Sequence, residues 1–103
     1  MIRIENKRTY SGPGEYVGRP SVLGNPFPII KGNPQFTRDK VVKDYRDWLV
    51  TMYDKEPAIR NELHRLAGIE NLVLICWCSP LSCHAEIIRE AVLSIRKYGT
   101  WKI

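Results

Sequence analysis

Long apolar runs are missing from this chain. None approaches the ~20 residues that a membrane-spanning helix needs. Met1 to Lys7 lacks the charged, apolar and small-residue succession of a secretory leader, so an intracellular location is expected. Internal repeats and low-complexity tracts are absent, and Lys and Arg are scattered rather than run together. Neither a Walker phosphate loop nor a dinucleotide fingerprint occurs. Cysteine is confined to three residues, all between positions 76 and 83. An odd number of clustered thiols does not make a disulfide framework and suits a reducing compartment.

What remains is an ordinary soluble composition, 44% hydrophobic and 26% charged, in 103 residues. One domain, residues 1–103, follows from that length. A domain this small buries a modest share of its surface, so a metal, a ligand or a second copy in a homo-oligomer would add stability. The formal net charge is +5, which favours acidic partners such as nucleotides, phosphorylated small molecules or nucleic acid.

Ile2 and Ile4 alternate with Arg3 and Glu5, the pattern of a short strand. From Ser11 to Gln35 the Gly and Pro content forbids a long helix, with room for a short strand at Tyr16-Val17. A loop this long in a compact domain is usually functional. Thr37 suits an N-cap, and Val41, Val42, Tyr45, Trp48, Leu49 and Met52 form the apolar stripe of the following helix. Pro57 and Gly68 suit the start and stop of a second helix that buries Ile59, Leu63 and Leu66. Asn71 to Cys78 reads as a strand buried on both faces. Ser79 and Pro80 read as cap and first residue of a last helix with core residues Ile88, Val92 and Ile95. Arg96 and Lys97 suit the carboxyl end of that helix dipole. Strands separated by helices predict a small α/β fold: one mainly parallel, Rossmann-like sheet of three to four strands, flanked by about three helices.

The segment Cys76-Trp77-Cys78-Ser79-Pro80-Leu81-Ser82-Cys83-His84 concentrates chemistry at a strand end and a helix start, where open α/β proteins bind ligands. Three readings stand open. Cys76, Cys78 and Cys83 can be core residues beside a helix end that binds an anion. Cys76, Cys78, Cys83 and His84 supply the four ligands zinc takes, although adjacent Cys83 and His84 point about 100° apart on a helix. Cys83 can instead be a reactive thiol with His84 as acid or base. Trp77 alternates with the two strand cysteines and is expected on the other side of the sheet. Trp48 suits the core, and His64 suits a surface or boundary position.

The second constellation runs from Gly18 to Phe27. Gly24 permits close backbone approach or a positive φ. Asn25 can bond its own backbone or a ligand, and Pro26 holds it extended. Arg19 is a forked donor for phosphate or carboxylate, and Phe27 can stack on a base or anchor the loop.

Gly18-Arg19, Gly24-Asn25-Pro26-Phe27, Tyr45-x-x-Trp48-Leu49 and Cys76-Trp77-Cys78-x-Pro80-x-x-Cys83-His84 together resemble the phage and bacterial family known as domain of unknown function 4326. Ala85 departs from the Gly that members often carry after Cys-His, and Ser11 to Gly14 is individual. The resemblance implies a cytoplasmic bacterial or phage protein and no particular reaction. With the residues above, the leading expectation is a domain that binds a nucleotide or nucleotide-derived ligand. Gly18, Arg19, Gly24 to Phe27, Pro80 and Ser82 would do the binding. Any chemistry at a phosphate or glycosidic bond would fall to Cys83 and His84. The alternatives are a zinc-stabilised adaptor for nucleic acid or a host protein, and a sponge that sequesters a nucleotide signal.

Overall fold

The structure, a computed structural model, describes residues 2–27, 32–34, 37–77 and 83–102. The elements are β1 (Ile2–Asn6), β2 (Glu15–Tyr16), α1 (Arg38–Lys55), α2 (Pro57–Ala67), β3 (Leu72–Cys76) and α3 (His84–Tyr98). The strands form one open sheet in the order β1-β3-β2, and both pairings are parallel. Ile2 lies opposite Leu72 and Asn6 opposite Cys76, while Tyr16 lies opposite Ile75. All three strands therefore end at one edge of the sheet.

Local signals account for most helix ends. The Thr37 hydroxyl accepts from Lys40 N–H and caps α1. Glu56 precedes a proline, which pushes it to φ −111°, ψ 106° and closes α1 as Pro57 opens α2. Gly68 ends α2 in right-handed geometry, so it needs no glycine φ. Gly99 ends α3 at φ 78°, where a side chain would be strained. Arg96 reaches the Ala67 and Ile69 carbonyls, so it caps the end of α2 rather than only its own helix.

The core lies between the sheet and the helices. Leu72, Leu74 and Cys76 of β3 are buried with Tyr45, Leu49, Leu63, Leu66, Ile88 and Val92. Tyr53 joins this core, while Trp48 and Met52 pack on its margin, so the α1 stripe is rotated from the expected one. The other face of β3, Val73 and Ile75, is half-buried, which corrects the expectation of a strand buried on both sides. The segment linking β1 to β2 lies against that face. A Cβ on Gly14 would stand 2.9 Å from the Val73 carbonyl oxygen. An uninterrupted apolar run does not distinguish a second helical layer from a short covering loop.

The last helix also starts later than the Ser79-Pro80 pair suggests. Cys83 is its N-cap, and a capping box joins the Cys83 side chain to the Glu86 N–H and the Glu86 carboxylate to the Cys83 N–H at 2.8 Å. Ser79 and Pro80 themselves lie outside the described residues. Among the described residues no helix is long and apolar enough to cross a membrane.

Candidate functional site

A cleft of about 290 Å³ opens at the carboxyl edge of the sheet. Three parts of the chain line it. The segment after β2 contributes Gly18, Arg19, Asn25 and Phe27. The first turns of α1 contribute Arg38, Val41 and Val42. Trp77, just past β3, and the Cys83-His84 start of α3 complete it. Two helices thus direct their amino ends at the cleft, and no carboxylate is among its described lining residues. Both features favour a bound anion.

The segment 17–27 is held from several sides. Val17 N–H continues the ladder to the Ile75 carbonyl at 3.0 Å. Its own carbonyl accepts from His84 Nε2 at 2.7 Å. The Tyr45 hydroxyl, buried in the core, donates to the Leu23 carbonyl at 2.7 Å, and Tyr16 donates to the Arg19 carbonyl at 2.8 Å. Two turns, Ser21 N–H to Gly18 O and Gly24 N–H to Ser21 O, fold the segment back on itself. The Arg19-Pro20 peptide is cis. Gly24 then abuts Arg19: a Cβ there would stand 3.0 Å from Arg19 Cα and 3.1 Å from its N. Gly24 is a close-approach glycine without a positive φ. Asn25 Oδ1 accepts the Phe27 N–H at 2.8 Å, a local turn between two residues that both line the cleft.

His84 is buried, and its imidazole pKa is held below the ordinary value, first by burial and then by the charge of Arg19, against the opposing Val17 hydrogen bond. The ring is therefore neutral at pH 7. Because Nε2 faces a carbonyl, it carries the proton, and Nδ1 presents its lone pair 3.4 Å from Cys83 Sγ. The Tyr45 ring meets His84 edge-on, with centroids 5.0 Å apart, and burial pushes the Tyr45 hydroxyl pKa far up. Tyr45 and His84 thus act as neutral hydrogen-bonding props. The Cys83 N–H is taken by Glu86, and that carboxylate opposes both an anion and a thiolate at this spot.

Of the residues singled out in the sequence, Gly18, Arg19, Asn25, Phe27, Cys83 and His84 lie together in the cleft. Gly24 supports it from behind Arg19, and Pro26 is exposed outside it. Cys76 is fully buried on the helix-facing side of β3 and does not line the cleft. Cys78, Pro80 and Ser82 lie outside the described residues. Among the described residues no group of three or more His, Cys, Asp or Glu could hold a metal ion.

Arg38 and Val42 were not foreseen as site residues, because a first-turn Arg and an apolar stripe look the same in any helix. Their one signal is position, directly after the Thr37 cap. Trp77, expected on the face opposite the strand cysteines, is 50% exposed where Cys76 is fully buried, and donates from Nε1 to the Tyr16 hydroxyl at 3.0 Å. His64 is exposed as expected and also bonds the Tyr53 hydroxyl at 2.7 Å.

Compared with known proteins, residues 2–94 match the model of the family described as Domain of unknown function (DUF4326), and the chain belongs to that family. No curated protein and no solved structure matches it.

Proposed function

We propose that this DUF4326 domain binds one nucleotide, or a ligand derived from one, in the cleft at the carboxyl edge of its sheet. One observation carries the reading: two guanidinium-bearing residues, Arg19 and Arg38, and two aromatic rings, Phe27 and Trp77, line the same 290 Å³ space. A phosphate needs forked donors, and a base needs an aromatic face. The volume lies at the lower end of small-molecule pockets and suits a mononucleotide better than a dinucleotide. The Asn25 amide adds a donor for the base edge or the sugar.

Binding without turnover is the better supported form. His84 Nε2 donates to a backbone carbonyl, and the Cys83 thiol accepts within a capping box beside a carboxylate. Both groups are occupied with holding the fold, so no step at a phosphate or glycosidic bond is assigned to them. A bacterial or phage-infected cytoplasm would supply such ligands.

Calorimetric titration with adenosine and guanosine 5′-monophosphates, and with adenosine, tests the reading. The monophosphates should bind and the nucleoside should bind more weakly. Arg19→Ala should weaken the monophosphates about tenfold or more, the loss of one charge-assisted hydrogen bond of about 1.5–3 kcal/mol. Absence of binding by any of the three would sink it.

A further inference from the structure

We infer that the ligand is the end of a single-stranded nucleic acid: its terminal nucleotide enters the cleft, and the following nucleotides run over Trp77 and Tyr16 toward Lys7 and Arg8. This inference rests on the nucleotide reading of the cleft.

The surface next to the cleft carries it. Trp77 belongs to both places, lining the cleft and standing 50% exposed. The Arg8 guanidinium lies 5.9 Å from the centre of its ring. Trp77 bonds Tyr16, and Lys7 Nζ lies 5.1 Å from the centre of the Tyr16 ring. Tyr16 in turn holds the Arg19 carbonyl. Two joined aromatic rings, each with a cation beside it, therefore extend from the Arg19 segment outward. Single-strand binders combine these two features, cations along the backbone and ring faces for unpaired bases. A duplex keeps its base faces stacked internally and has no use for an exposed Trp face.

The charge at this edge fits the same partner. Arg3, Lys40, Arg46 and Arg65 each pair with a carboxylate. Lys7, Arg8 and Arg19 have no ion pair among the described residues. Lys7, Arg8 and Arg19 therefore present charge at the carboxyl edge that phosphates can neutralise. Lys7 and Arg8 follow β1, Arg19 follows β2, and Trp77 follows β3, so the parallel order of the sheet assembles this surface.

Fluorescence anisotropy with a 3′-labelled single strand of about eight nucleotides tests it, alongside titration with the mononucleotides. At low salt the strand should bind at least about tenfold more tightly than a mononucleotide. The doubly substituted Lys7→Ala, Arg8→Ala protein should lose most of that advantage. Its salt dependence should flatten by about 1.4 in log–log slope, for two phosphate contacts, while mononucleotide affinity stays unchanged. A strand that binds no better than a mononucleotide, equal binding of a duplex of the same length, or an unaltered double variant would overturn the inference and leave the cleft reading standing. Failure of both strand and mononucleotides to bind would overturn both.

Discussion

His84 Nε2 lies 2.7 Å from the Val17 carbonyl oxygen, a hydrogen bond between residues 67 apart that joins the start of α3 to the segment leaving β2. It ties the cleft's two halves together inside a buried environment. Replacing His84 by Ala would strip the Val17 carbonyl of this partner and leave a cavity beside Tyr45. The expected loss is about 2–4 kcal/mol in urea denaturation. A loss below about 0.5 kcal/mol would contradict the propping role.

The same imidazole sets a pH dependence. Burial keeps folded His84 neutral below the pH at which the unfolded side chain, with a pKa of about 6.5, takes up a proton. The unfolded state then binds more protons than the folded state. This contribution is complete above about pH 6.5 and declines as the pH falls toward the lowered native pKa, by at most about 1.4 kcal/mol per pH unit. Denaturation midpoints from pH 8 to pH 5 (about three units around the ordinary imidazole value) should fall in the native protein and fall less in His84→Gln. Parallel profiles for the two would refute it.

Tyr45→Phe removes one hydroxyl from the core and leaves the Leu23 carbonyl without that donor. About 1–2 kcal/mol of stability should go with it, since the lost bond is buried. Combined with His84→Ala, the two changes should be non-additive, because both props hold the segment 17–23 and their rings touch. Additive losses would mean the two props act independently.

Gly24→Ala places a methyl group against the backbone of Arg19, with contacts of 3.0–3.1 Å that require Arg19 to shift by a few tenths of an ångström. Stability should change by about 1 kcal/mol, while mononucleotide affinity should fall severalfold because the guanidinium is displaced. Native affinity in this variant would show that the Gly24–Arg19 contact does not position the site.

Cys83→Ser keeps a side-chain acceptor at the N-cap of α3, with oxygen in place of sulfur. Its stability should stay within about 1 kcal/mol of the native protein, and Cys83→Ala should lose more. Thermal melts with and without a chelator should coincide for native protein and Cys83→Ser alike. A collapse of Cys83→Ser, or of the native protein on chelation, would instead favour a zinc role for the thiol.

Local chemistry made part of this molecule legible in advance. Thr37, Pro57 and the apolar periodicity of Ile59, Leu63 and Leu66 set helix boundaries and faces through neighbours in the chain. The apolar run before Cys76 marks β3, because few other structures accommodate it. Ser79-Pro80 misled because it is a stronger N-terminal signature than Cys83, a weak sulfur acceptor whose capping role depends on Glu86 three residues on.

The sequence by itself determined the α/β alternation and the two motif-bearing segments, since these follow from spacing and turn residues along the chain. Only the tertiary structure decided which residues meet. Parallel pairing of β1 and β2 on either side of β3 brings the ends of all three strands to one edge. There Arg19 and Trp77, distant in the chain, come to share a cleft with Arg38 at the start of α1, and Arg8 lies over the Trp77 ring. Proximity across tens of residues depends on strand order and on long-range bonds such as His84 to Val17, and neither leaves a local trace in the sequence.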